Sequence, residues 1–280
     1  EEPLDGEVDA GGGALIGDRL LRLAPLSVPV LVLAAWQGLV GTGYFPANLL
    51  PGPGRVLRVF WDVAVGQTGE AGIYSGVLAA HAVASVWRVA LGFLVGIALG
   101  IVLGLLMGLF LWAERAFNLS IQVLRNIPIT AWLPLAIIFF GLADRPAIFI
   151  IALGAFFPSV INTIHGVKGT DCIVVKAGLM MGMSQTQLMR LVVLPSALPA
   201  IFTGLRLSLG LSWMLVILAE MVAVRAGLGY LLLDANYAFR TDVVIAMMLN
   251  IGIAGYLSDR LLLLVRHSLL GWTRGVTIGG

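Results

Sequence analysis

Few residues of this 280-residue chain can do polar chemistry, and several of those that can lie inside apolar stretches. Arg125 and Asn126 stand beside Pro128, Asn162 lies near the end of one apolar run, and Glu220 lies near the end of another. A charge at the centre of a bilayer costs roughly 2.5–3.5 kcal/mol unless it faces protein or water. Each such group is therefore a candidate for lining a polar path or for pairing inside a helix bundle. Arg125 fits both: a helix break at Pro128 frees backbone groups to line a cavity, and a guanidinium can equally pair with a carboxylate or carbonyl. For Glu220 a structural or gating role is expected. Catalytic signatures are missing. The two lysines, Lys168 and Lys176, follow Val167 and Val175, so no G-x-x-x-x-G-K-[ST] phosphate loop exists. There is no H-E-x-x-H, paired-cysteine zinc spacing or G-x-S-x-G elbow, and His81, His165 and His267 lie far apart. No catalytic residue, metal ligand set or bound cofactor is expected.

With 59% hydrophobic and 11% charged residues and a mean hydropathy of +1.00, the chain departs from soluble globules, which carry about 25% charged residues. An all-α integral membrane protein is predicted. A formal charge of +2 without a Lys/Arg run of five or more gives no argument for a nucleic-acid surface, and no nucleic-acid partner is expected. The single cysteine, Cys172, cannot form an internal disulfide and is expected to be a packed thiol.

Stretches of roughly twenty apolar residues set the spans. Six are predicted, at 23–43, 89–112, 116–142, 147–165, 205–224 and 243–265, the third kinked by Pro128 and Pro134. Residues 44–76, with Val56, Val59, Phe60 and Val63 at helical spacing, suit an amphipathic helix outside the membrane. The organisation is then a cytoplasmic tail at 1–22, that first span and external segment, a core at 77–272 and a short cytoplasmic tail at 273–280. Residues 1–13 are acidic and glycine-rich, without the basic start of a secretory signal. With both termini cytoplasmic, ten Lys/Arg residues fall inside and five outside, so the positive-inside rule puts the loop at 166–204 in the cytoplasm.

Two patterns concern packing and docking. Gly92, Gly96, Gly100, Gly104 and Gly108 recur every fourth residue, a stripe without side chains against which another helix can pack closely. In the cytoplasmic loop, Cys172 to Met181 can form a short helix that Gly182 breaks, and Ser184 with Gln187 makes a capping box for a second helix running toward Pro195. Leu188, Leu191 and Val192 give that helix an apolar side. Such a pair of helices suits a protein partner.

The loop also resembles the coupling loop of ABC importer permeases. Lys176-Ala177-Gly178, three residues, Gly182, nine residues, then Val192-Val193-Leu194-Pro195 keeps that family's spacing, with Lys176 and Gly178 in place of its Glu and second Ala. Ser120 to Pro128, Pro134-Leu135, Phe157-Pro158, Asn162-Thr163, Ala219-Glu220, Gly227 to Tyr230 and Asp259 to Trp272 resemble the branch carrying aliphatic sulfonates, taurine, nitrate or bicarbonate, the first above all. The resemblance implies a type I permease core working as a homodimer in the bacterial inner membrane. It also implies two ATPase subunits, which hold ATP and magnesium, and a periplasmic or lipid-anchored substrate-binding protein. Lys176, Ala177, Gly178, Gly182, Ser184, Leu194 and Pro195 would couple to the ATPase, while Arg125, Asn126, Asn162 and Glu220 would lie on or near the path. Alternatives are a carrier of pyrimidine vitamin precursors in the same class, or a self-sufficient secondary carrier.

Overall fold

The computed structural model describes residues 27–46 and 48–270; the expected tails at 1–22 and 273–280 and the start of the first expected span lie outside the described residues. Helices make up the regular structure described. They are α1 (Ser27–Gly41), α2 (Pro53–Val65), α3 (Leu78–Leu109), α4 (Leu111–Arg125), α5 (Leu133–Phe140), α6 (Asp144–Lys168), α7 (Cys172–Met180), α8 (Gln185–Leu188), α9 (Leu194–Ala223), α10 (Leu228–Tyr237) and α11 (Thr241–Leu269).

The glycine stripe explains how the bundle closes. On α3, a Cβ at Gly92 would stand 2.6 Å from Ile151 Cβ, one at Gly96 2.3 Å from the Ala152 carbonyl, and one at Gly104 2.6 Å from Thr163 Cβ. Gly108 faces Val167 in the same way. The partner numbers rise together, so α3 and α6 run parallel with their backbones nearly touching. On its other side α6 meets α9 antiparallel: Gly204 lies against Asn162 and Pro158, and Gly166 against Ala197 and Ala200. Ile150, Ile151, Leu209, Trp213 and Val216 fill the layer between these helices. Leu94, Val95, Leu99 and Val102 of α3 point outward, as an apolar solvent permits.

Four described helices or helix runs are long and apolar enough to cross a membrane: Leu78–Leu109, Asp144–Lys168, Gln185–Ala223 and Thr241–Leu269. The expected third span at 116–142 is not one kinked helix. It divides into α4 and a Ile129–Phe140 piece at 90° to it, which together make a fifth crossing at most. Asn126 caps α4 and Pro128 takes a ψ of 125°, so the three residues 126–128 between the helical pieces turn the chain where a kink was expected. The described part of the first expected span, α1, has 15 residues, or about 22 Å at 1.5 Å per residue, short of the roughly 30 Å hydrocarbon. Further boundaries also move. Leu109 ends α3 because Phe110 is extended (φ −117°, ψ 119°), and the segment after Ser184 does not stop at Pro195.

The amphipathic α2 buries Val56, Val59 and Val63, together with Asp62. This carboxylate accepts the backbone N–H groups of Thr68 (2.7 Å), Gly69 (2.9 Å) and Ala71 (2.8 Å), fixing the turn that follows the helix. Burial raises its pKa, but the amides of Ala71, Thr68 and Gly69 outweigh that and hold the carboxyl well below the usual range. Tyr74 then donates to Asp234 of α10 at 2.8 Å; burial and that bond push its hydroxyl up to about 12.

Candidate functional site

The α7–α8 segment is built from local signals. Asp171 caps α7 by accepting the Ile173 N–H at 2.8 Å. Gly182 adopts φ +80°, a left-handed conformation that reverses the chain with open space around it. Ser184 and Gln187 then form the reciprocal capping box. Gly178 is buried against Leu188 (2.9 Å from a built Cβ to Cδ1), so the absence of a side chain lets α7 seat on α8. Outward, the unit shows Ile173, Val174, Leu179, Met180 and Met181, with Lys176 and Ala177 exposed among them. Cys172, expected to be packed, is exposed, because the helix face it occupies meets no neighbour among the described residues.

After α8 the chain does not stop at Pro195. Five residues, Met189–Val193, form a π turn that passes directly into α9 with Leu194 and Pro195 in its first turn. Proline lacks the N–H that an α-helix would direct at Leu191, and its ring crowds that carbonyl; a wider turn there accommodates it. The result is a continuous 39-residue helical run, Gln185–Ala223, from the exposed segment into the bundle.

At the opposite end of α9, Glu220 is fully buried. Its carboxylate accepts from Ser85 Oγ (2.8 and 2.9 Å), Arg88 Nη1 (2.7 Å) and the Gly229 N–H (2.9 Å). Arg88 also donates to Asp144 Oδ1 (2.8 Å from Nε) and to the Ala226 carbonyl (2.7 Å). One carboxylate and one guanidinium thus tie α3, α6, α9 and the start of α10. Gly227, at φ +130°, lies so close that a Cβ there would fall 2.3 Å from the Glu220 carboxyl carbon. His81 accepts the Gly227 N–H at 3.0 Å, bracing the same turn.

Sequence reasoning missed the role of Arg88. The signal available was a lone cation in one apolar stretch and a lone acid in another, each needing a buried partner. The four expected path residues are not one cluster. Glu220 belongs to this clamp. Asn162, on α6, donates to the Pro158 carbonyl at 2.9 Å and packs on Gly204. Asn126 donates to the Gln122 carbonyl at 2.7 Å. Arg125 is exposed at the end of α4 and borders a cavity of about 240 Å³ against α6, on the half of the bundle nearer α7.

A larger groove of about 1180 Å³ opens between α9 and α11, lined by Leu207, Gly210, Met214, Met248, Gly252 and Tyr256 among others. Arg206 and Asp259 join these helices through two hydrogen bonds of 2.7 and 2.8 Å. Gly210 and Gly252 have no neighbour within 4 Å of a built Cβ. Asn250, within the last expected span, is buried and donates to the Ala246 carbonyl of its own helix.

Residues 96–269 match the model of a family described as binding-protein-dependent transport system inner membrane component. The chain is 40% identical over 253 residues to an aliphatic sulfonates transport permease protein of Escherichia coli strain K12, covering 90% of this chain and 93% of that protein. It is 32% identical over 255 residues to the taurine transport system permease protein of the same strain, covering 90% and 91%. Among solved structures, an inward-facing MetNI methionine ABC transporter aligns with a TM-score of 0.52 at 17% identity, over 65% of this chain and 93% of the matched chain, a likeness of fold.

Proposed function

Because the chain belongs to the family of binding-protein-dependent transport system inner membrane components, and is a transport subunit rather than an enzyme, we propose that it is the permease of an ATP-driven importer of small anions, aliphatic sulfonates first among them. The observation that carries this reading is mechanical. The exposed α7–α8 unit has an apolar outer surface for a partner, and α8 continues without interruption into α9. A force on α8 is therefore delivered to the centre of the bundle, and the Arg88–Glu220 clamp ties the far end of α9 to α3 and α6.

In this reading the partner at α7–α8 is an ATPase, present in two copies and holding ATP and magnesium, and the coupling residues are Lys176, Ala177, Gly178, Gly182, Ser184, Leu194 and Pro195. Six crossings, with α1 and the α4–α5 pair completing the set, leave both termini and α7–α8 in the cytoplasm. A substrate-binding protein delivers the ligand from the other face. A second copy of the chain covers the α9–α11 groove, whose unfilled glycines allow a helix to approach closely. Arg125, Asn126 and Asn162 lie toward the path, while Glu220 serves as a lock beside it. The sulfonate class is supported by what the E. coli relative is named for; taurine, nitrate, bicarbonate and pyrimidine vitamin precursors are the alternatives.

A self-sufficient secondary carrier would use a buried acid free to exchange protons or bind a cation. Among the described residues the buried carboxylates Asp62, Glu220 and Asp242 are each held by donors, the last by Arg55 and Arg240. Co-purification tests the reading. The chain should retain an ATPase subunit, and Gly182→Asp should release it. Space at Gly182 is open, but its φ of +80° strains any L side chain, so Gly182→Ala, with the same strain and no charge, is the control: loss with Asp but not with Ala reports on docking. Undiminished retention of the ATPase by the variant contradicts the assignment.

A further inference from the structure

The cavity where α4 meets α6 carries two kinds of wall. On α4, Asn118, Gln122 and Arg125 stand four and three residues apart, so they share one helix face; His165 of α6 closes the same side. These groups have donors to spare. Gln122 Nε2 donates to Asn118 Oδ1 at 3.0 Å, which leaves the Asn118 amide nitrogen and the second Gln122 N–H unengaged by any side chain described. The Arg125 guanidinium and the His165 ring have no hydrogen bond or ion pair among the described residues. By contrast Lys168, three residues beyond His165, is paired with Glu114, and Arg206 with Asp259. Beneath these exposed donors, buried Met107 and Ile121 and half-buried Ile164 make an apolar wall, the two isoleucines on the same helices as the donors, and no carboxylate lines the cavity.

The geometry points to a subsite for an alkanesulfonate: the three sulfonate oxygens take donors from Arg125, Gln122, Asn118 and His165, and a short alkyl chain lies on Met107, Ile121 and Ile164. A guanidinium presents parallel N–H groups that match two oxygens of one oxyanion. The apolar wall gives a reason to prefer an alkylated oxyanion over nitrate, which has no chain to bury. At about 240 Å³ the space is below the roughly 300–1,000 Å³ of drug-sized sites, so a one- to few-carbon sulfonate is the fitting class. This inference rests on the importer reading and names a stop for the ligand on that route, at the half of the bundle that carries α7 and α8.

The test uses the whole transporter, with its ATPase and binding protein, in proteoliposomes, and measures uptake of labelled ethanesulfonate, taurine and nitrate. Wild-type protein should favour ethanesulfonate. Arg125→Ala should cut that uptake by roughly tenfold or more, the scale of a lost charged hydrogen bond, with the assembled complex recovered in normal amount. Arg125→Lys should restore part of it. Arg115→Ala, which removes an equal charge from α4 away from the cavity, should stay within about twofold of wild type. Gln122→Leu, an exposed change that spares the helix, should raise the half-saturating ethanesulfonate concentration several-fold and so tests the cavity even where Arg125→Ala fails to assemble. Transport by Arg125→Ala at the wild-type rate, equal defects in the Arg125 and Arg115 variants, or an unchanged half-saturation in Gln122→Leu would overturn the subsite while leaving the importer reading in place. Absence of uptake of all three probes by wild type would overturn both.

Discussion

Replacing Glu220 by Ala removes the shared acceptor of three donors, Ser85, Arg88 and the Gly229 N–H, inside a site with no solvent access. The Gly229 N–H and one arm of Arg88 lose their partner where water cannot replace it. Breaking a buried pair in this way costs about 3–5 kcal/mol, most of it the desolvation left uncompensated on the surviving partner. For a chain of this size 1 kcal/mol corresponds to roughly 2–4 °C in Tm, so the expected loss is about 6–20 °C. Glu220→Gln should fall between, because its amide nitrogen must face a donor, either Arg88 or the Gly229 N–H, in the same shell. The double variant Arg88→Met with Glu220→Leu should lose less than the sum of the single changes, since it leaves no orphaned charge and Asp144, at 56% exposure, can turn to water. The assay is thermal unfolding of the detergent-purified chain followed by fluorescence-detected size exclusion. A Glu220→Ala protein as stable as wild type but deficient in transport would refute the clamp and return Glu220 to the translocation path.

Gly96→Val should prevent close approach of α3 to α6, because its Cβ would fall 2.3 Å from the Ala152 carbonyl; overpacking costs about 1–3 kcal/mol, while Gly54→Ala, with open space, should be neutral by the same thermal assay. Asp62→Ala should speed hydrogen exchange at Thr68, Gly69 and Ala71, which lose their shared acceptor. Since the folded carboxyl titrates below its unfolded value of about 4, its contribution is complete above that pH and is lost as pH falls through the lower folded value, so acid should release these amides in wild type but change little in the variant. For Tyr74 the sign is opposite: its contribution holds below the ordinary pKa of about 10 and fades as pH rises toward about 12, so Tyr74→Phe should flatten the alkaline stability profile.

Local signals were the legible ones. The capping box at Ser184 and Gln187 and the turn at Gly182 are written in neighbouring residues, and the structure builds each from those residues alone. The every-fourth glycine spacing likewise marks one face of a single helix, though only the fold shows that α6 is what meets it. Pairings across helices were not legible: Arg88 and Glu220 are 132 residues apart, and which cation meets which acid depends on how α3 and α9 pack. A proline alone does not fix what the helix does around it. Pro195 suggested a helix end, yet the preceding π turn carries the helix past it, whereas Pro128 suggested a kink and, with extended backbone, gives a 90° break. The position of Arg125 was clear as a polar residue beside a break, but its company of Gln122, Asn118 and His165 required the crossing of α4 over α6.

The most direct test of the account compares uptake of labelled ethanesulfonate, taurine and nitrate by cells with and without this chain, in the presence of the ATPase subunit and binding protein. Loss of ethanesulfonate uptake on deletion, restored by the wild-type chain but not by Gly182→Asp, is the result the account predicts. Uptake of all three that is unchanged by deletion, or restored equally well by Gly182→Asp, would contradict it.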